Sequence, residues 1–276
     1  MNGKQPGSAA TVVRIGRMPG DVLDRFMTWT VARGAAAGTQ RVRRSHLLRF
    51  AAYAHPIHAT PDDVVAFMAS LENLKPESRK SFVSTLRTFY AWALAAGLVE
   101  LDPTRTLGSV RVPPAQPRPI PDVALRSAFA AADEETTLML LLGCYAGLRR
   151  AEIAAVHERD IDGSVLVVVG KGGRGRRIPV HPMLAGRLAQ IEGWVFPSPV
   201  RRGQHVSPDY VSSRLERVLP SPHTPHSLRH YFGTRVYRSS HDLRAVQHLL
   251  GHSNPQTTAR YTLVDEDALT AAVMSM

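Results

Sequence analysis

The chain has 276 residues, 44% of them hydrophobic, enough for two cores when domains commonly hold about 100 to 200 residues. Lys and Arg number 34 against 23 Asp and Glu, a formal net charge of +11 that favours a polyanionic partner, with nucleic acid ahead of a membrane surface. One cysteine excludes an intrachain disulfide, and no run approaches the roughly 18 apolar residues of a spanning helix, so a soluble protein of the reducing cytoplasm is expected.

Residues 1–19 are polar, punctuated by Gly and Pro, and read as a flexible tail. From Asp21 apolar residues recur at helical spacing: Val22 and Phe26, then Leu47, Leu48 and Ala51, then Val64, Phe67 and Met68, then Phe82, Leu86, Phe89 and Ala93. Four or five amphipathic helices over 20–109 follow, with Thr60-Pro61-Asp62 a helix start and Ala96-Gly97 a helix end. Between 110 and 121 the prolines are too dense for a helix or central strand, and this stretch is read as a linker. The second domain, 122–276, opens with helices near 122–132, 135–146 and 150–157. Val165-Leu-Val-Val-Val and Arg177-Ile-Pro-Val flank a glycine-rich turn as a β-hairpin, Trp194-Val-Phe reads as a third strand, and helices resume from about 208. Cys144, inside an apolar run, reads as a small core residue, and Tyr90, Tyr145 and Tyr231 as packing residues.

Four stretches of the second domain carry chemistry. Gly147 can end the apolar helix and let Arg149 project, and a guanidinium fork donates two hydrogen bonds to a phosphate while staying charged. Glu152, three residues on, can orient such a cation or form an ordinary surface pair, whereas Arg150 points elsewhere, to solvent or DNA backbone. Lys171 and Arg174 lie in the Gly-Lys-Gly-Gly-Arg-Gly turn, where an ammonium can reach into a groove and protonate a leaving oxygen, or remain solvated. Thr224 can cap a helix with Pro225 at its first position, placing His226 and Arg229 on one face near a helix N-terminus that attracts anions. A zinc reading of His226 and His230 lacks the glutamate beside the first histidine, and no metal is required. Gly251 can end another helix, leaving His252 at the break and Tyr261 about two turns into the next. A phenol, with a reference pKa of about 10, needs cationic and proton-accepting neighbours to act as a nucleophile.

In order and spacing these residues resemble the tyrosine recombinase (phage integrase) family over most of the chain from about residue 21. The resemblance implies a mainly α protein with a small β-sheet: a helical core-binding (SAM-like) domain and an α+β catalytic domain forming a C-shaped clamp on DNA. It implies that Arg149, Lys171, His226, Arg229 and His252 surround a scissile phosphate attacked by Tyr261, with Glu152 in support. The products are a 3′-phosphotyrosyl link and a free 5′-hydroxyl, then a Holliday junction, with no metal, nucleotide or other cofactor. It further implies a compact two-domain type without an arm-binding domain, acting as a tetramer on two core-type attachment sites in a bacterial cell, with a directionality factor as a further partner. The segment after Tyr261 docks on a neighbouring subunit or folds back on its own domain. Arg41, Arg43, Arg44, Lys75, Arg79, Lys80 and Arg87 are candidate DNA-backbone contacts of the first domain. Integration and excision of a phage or mobile element is the leading role. The competing readings are Xer-like dimer resolution, a DNA-binding clamp without catalysis, and a topoisomerase relaxing supercoils as a monomer.

Overall fold

Apolar residues three and four apart shape the amino-terminal helices, whose buried faces form one core. In the computed structural model, which describes residues 20–113, 118–170, 175–251 and 274, the chain divides into two compact units, Met1–Pro114 and Ala115–Met276. The first unit holds α1 (Gly20–Ala32), α2 (Ala37–Ala51), α3 (Pro61–Ser70) and α4 (Pro76–Ala95). Phe26, Phe50, Phe67, Phe82, Phe89 and Tyr90 fill its centre and meet largely edge to face, as with Phe26 and Phe89 at 5.3 Å between centroids. The Tyr90 hydroxyl donates to the Pro56 carbonyl at 2.8 Å, so this buried phenol is satisfied, and loss of hydration holds it protonated. At the start of α3, Thr60 and Asp63 cap each other: Asp63 N–H donates to Thr60 Oγ1 at 3.2 Å and Thr60 N–H to Asp63 Oδ2 at 2.8 Å. Gly97, at φ +66°, closes the chain after α4.

The second unit is built around α6 (Glu134–Tyr145), whose residues Leu138 to Cys144 are all buried, as expected of a helix that is apolar all round. Around it stand α5 (Asp122–Ala131), α7 (Arg150–Ala154), α8 (Pro182–Leu188), α9 (Pro208–Val218), α10 (Pro225–Ser240) and α11 (Leu243–Leu250). At Gly143 a Cβ would lie 2.9 Å from Leu228 Cδ1, so glycine lets α10 sit against α6. Cys144 is buried, and loss of hydration pushes its thiol up, which leaves it a packing residue.

The sheet is antiparallel, in the order β1 (Ile161–Asp162), β2 (Val165–Val169), β3 (Gly175–Pro179). Opposite pairs Leu166 with Ile178 and Val168 with Arg176 face inward. The third strand is therefore Ile161–Asp162 rather than the expected Trp194-Val-Phe. Asp162 and Val165 pair across a turn in which Gly163 takes φ +58°, a conformation a two-residue hairpin needs. Trp194 makes only a lone bridge to His157. Two further differences concern helices: α7 ends at Ala154, short of 157, because His157 caps a 3₁₀ turn over Glu158–Asp160, and α8 falls in a stretch read without a helix. Among the described residues, no helix is long and apolar enough to cross a membrane.

Candidate active site

Gly147 follows α6 at φ +63°, and a Cβ there would run into the Phe232 ring, so only glycine turns the chain from α6 towards α7 in this space. That turn places Arg149 at the N-cap of α7. Glu152 reaches back from the first turn: its Oε2 accepts the Arg149 backbone N–H at 2.8 Å, and its Oε1 accepts from Arg149 Nη1 at 2.8 Å. From α10, Arg229 arrives with 1% of its surface exposed. Its Nη1 donates to the Gly147 carbonyl at 2.6 Å, its Nη2 donates to the Leu250 carbonyl, and Nη1 lies 3.8 Å from Glu152 Oε2. The Arg229 guanidinium thus ties the end of α6 to the end of α11 and also borders an open cleft.

Glu152 is no surface pair. Its side chain is 8% exposed and takes a second fork from Arg176 of β3, Nη1 to Oε1 at 3.0 Å and Nη2 to Oε2 at 2.7 Å. Burial opposes ionisation, but the Arg176 hydrogen bonds, the Arg149 N–H and the two guanidinium charges outweigh it and hold the carboxyl down at about 2. Arg176 is itself buried at 5% exposure, and its Cδ lies 3.0 Å from where a Cβ on Gly251 would stand. Gly251 closes α11 at φ +62°. Motif order alone does not single out Arg176, which follows directly on the basic turn. The signal was its alternation with Ile178, which puts a charge on the inward face of a strand, and inward charges are almost never buried unpaired.

In front of this pairing a cleft of about 410 Å³ is lined by Leu148, Arg149, Arg150, Ala151, Ser212, Glu216, Thr224, Pro225, His226 and Arg229. It lies against the N-terminus of α10, where the Ser227 hydroxyl accepts the Thr224 N–H at 3.2 Å. His226 presents its ring at the surface here and packs edge to face on His230, centroids 4.3 Å apart. Although its edge is open, the protein behind it strips hydration, and the charges of Arg229 and then Arg149 add to this, so its pKa is lowered. Arg150 stands at the rim of the same cleft with its side chain 54% exposed, and there its Nη1 bonds Ser212 Oγ at 3.1 Å and Asp209 Oδ1 at 3.2 Å across to α9. Among the described residues, no group of three or more His, Cys, Asp or Glu could hold a metal ion.

The structure therefore brings Arg149, Glu152, His226 and Arg229 together. Lys171, Arg174, His252 and Tyr261 lie outside the described residues, next in sequence to elements that converge here: β2 and β3 for the first two, Gly251 for His252. In the amino-terminal unit, Arg41, Lys75 and Lys80 are exposed and Arg43 and Arg79 half-buried. Arg44 pairs with Asp24 at 3.6 Å. Arg87 is used within its own unit, where Nη2 donates to the carbonyls of Leu107 and Gly108, so it secures the chain after α4.

Residues 123–267 match the phage integrase family. A tyrosine recombinase XerC of Rhodospirillum centenum is 33% identical over 90% of this chain and 84% of its own length. The chain is a member of the phage integrase family of tyrosine recombinases. Among solved structures, a lambda integrase dimer bound to a COC′ core site superposes on this recombinase with a TM-score of 0.69 at 20% identity, covering 87% of this chain and 76% of that one. A XerH site-specific recombinase bound to its difH substrate gives 0.65 at 17% identity over 91% and 83%. At such identities these two speak for a shared fold: mainly helical, with a small three-stranded sheet in the second unit of this recombinase.

Proposed function

We propose that this recombinase cuts and rejoins DNA at the Arg149, His226 and Arg229 cleft through a 3′-phosphotyrosyl intermediate on Tyr261. The observation that carries the reading is a buried carboxylate, Glu152, holding Arg149 and standing 3.8 Å from Arg229 at the back of an open cleft. A carboxylate that fixes cations behind a cavity leaves their outward charge for an anion, and arginine suits phosphate through its planar fork. The N-terminus of α10 adds a positive helix end at the same wall. His226, with its pKa lowered, is neutral at pH 7 and can accept a proton.

In the proposed reaction the Tyr261 oxygen attacks the scissile phosphorus while the phenol proton passes to His226 or His252. The bond from phosphorus to O5′ breaks, Lys171 donates a proton to that oxygen, and Arg149 and Arg229 balance the charge on the non-bridging oxygens. Attack by a 5′-hydroxyl of a partner duplex reverses the chemistry and leaves a Holliday junction. One phosphodiester is exchanged for another, so no nucleotide needs to be hydrolysed. The reading extends to a tetramer on two core-type sites, to Arg41, Arg43, Arg44, Lys75, Arg79, Lys80 and Arg174 as DNA-backbone contacts, and to a DNA-associated protein of a bacterial cell. A directionality factor belongs with the mobile-element role.

Two roles compete. Integration and excision of a phage or mobile element is the first, and the similarity to a XerC protein over 84% of that protein's length favours the second, resolution of chromosome or plasmid dimers. Recombination assays with two copies of one site against two different sites separate them. The reaction itself is tested with nicked suicide substrates, comparing wild type with Tyr261→Phe. A covalent adduct seen with wild type alone supports the reading, and DNA binding with no adduct favours a clamp without catalysis.

A further inference from the structure

Arg176 is a buried guanidinium with a defined job that the proposed chemistry leaves unused. It lies on β3, opposite Val168, one pair in from the connecting residues of the hairpin, which include Lys171. Both of its terminal nitrogens are spent on Glu152, at 3.0 and 2.7 Å, and its stem packs against Gly251, the residue before His252. One side chain thus links three elements that lead to the candidate catalytic residues: α7 with Arg149, the β2–β3 hairpin, and the end of α11.

The electrostatics give the contact a direction. Three guanidiniums, of Arg149, Arg176 and Arg229, surround the single carboxylate of Glu152. Arg229 is the loosest of the three, at 3.8 Å. Take Arg176 away and the carboxylate loses two charge-assisted hydrogen bonds in a buried setting, where an under-satisfied charge draws on whatever cation is nearest. The nearest are Arg149 and Arg229, both of which border the cleft.

We propose that Arg176 is a positioning residue of the strand-transfer site: its bidentate hold on Glu152 leaves Arg149 and Arg229 their charge and direction towards phosphate, and it ties the Lys171 hairpin to them. This rests on the cleft being the site of DNA cleavage.

The test uses the full chain and single-turnover cleavage of a nicked suicide substrate at saturating protein, with binding to the intact duplex measured in parallel by fluorescence anisotropy. The variants are Arg176→Met, Arg176→Lys, Glu152→Gln and the double variant Arg176→Met/Glu152→Gln, each assayed below its own melting transition. Arg176→Met is expected to slow cleavage by about 100-fold, the size of effect a small misplacement of reacting groups brings. Its dissociation constant for DNA should change less than about threefold, because surface phosphate contacts dominate affinity. Arg176→Lys, which keeps the charge but not the fork, should recover part of the rate, and it carries the test if the Met variant does not fold. In the Glu152→Gln background the Met substitution should cost little more, since the carboxylate it serves is gone. Wild-type cleavage by Arg176→Met, an equal loss in both backgrounds, or a loss confined to affinity each overturns the proposal while leaving the cleavage reading standing. A wild type that binds DNA and forms no adduct overturns both.

Discussion

Glu152→Gln offers a sharp physical test because the substitution keeps the shape of the side chain, removes its charge and turns one of its two accepting oxygens into a donor. In the folded protein the carboxyl is 8% exposed and its pKa falls from the ordinary 4.5 to about 2. A depressed carboxylate pKa contributes stability that is complete above the unfolded value and is lost as pH falls through the folded one, here between about pH 4.5 and about 2. At about 1.4 kcal/mol per unit, the shift is worth on the order of 3 kcal/mol at pH 7. The glutamine variant should therefore be less stable by roughly that amount at neutral pH, and the gap should close as the wild-type carboxyl protonates. Because the chain divides into two compact units, the assay is urea unfolding read by pulsed hydrogen exchange and mass spectrometry on peptides from α6 to β2, across a pH series. Every other carboxylate titrates alike in the two proteins, so their difference isolates Glu152. A gap of constant size from pH 7 to pH 2 would mean that packing or amide geometry, and not the charge of Glu152, is responsible.

Gly147→Ala should destabilise the second unit by about 2 to 4 kcal/mol, combining strain at positive φ with a collision against Phe232, and thermal unfolding would register it. His226 should titrate below 6.5 by NMR in Tyr261→Phe protein, and DNA in the cleft should raise that value as phosphate charge offsets Arg229 and Arg149. A His226 value that DNA leaves unchanged would put phosphate elsewhere. Arg150→Ala, at the rim of the cleft, should weaken DNA binding and lower the slope of log affinity against log salt by about 1, as removal of one phosphate contact does. An unaltered slope would return Arg150 to a purely internal role with Asp209 and Ser212.

The parts of the fold set by local pattern were readable in advance. The all-apolar run of α6, the helical spacing of Phe82, Leu86 and Phe89, and the Val165 to Val169 strand with its glycine-rich turn each carry their own period. The third strand is also legible, since Gly163-Ser164 after Ile161–Asp162 is a two-residue hairpin signal, although the aromatic Trp194-Val-Phe competes with it for that assignment. The short helix α8 offers less, for its seven residues begin on a His181 cap and Pro182 within a stretch with no long period. The candidate site divides in the same way. Motif order pointed to Arg149, His226 and Arg229, but the ring of cations on Glu152 depends on β3 meeting α7, a long-range contact that no local spacing encodes. The partners of Arg150 on α9 are long-range in the same way, set by the packing of α9 against α7.

The covalent adduct reports the chemistry itself. Adduct formed on a suicide substrate in the presence of a metal chelator would be digested with protease and nuclease, the nucleotide-bearing peptide sequenced by mass spectrometry, and the released DNA end tested for direct labelling by a polynucleotide kinase. The expected product is a nucleotide on Tyr261 joined through a 3′-phosphate, with a free 5′-hydroxyl on the other strand end. A linkage through a 5′-phosphate, attachment to another residue, or cleavage that stops when metal is chelated would contradict it.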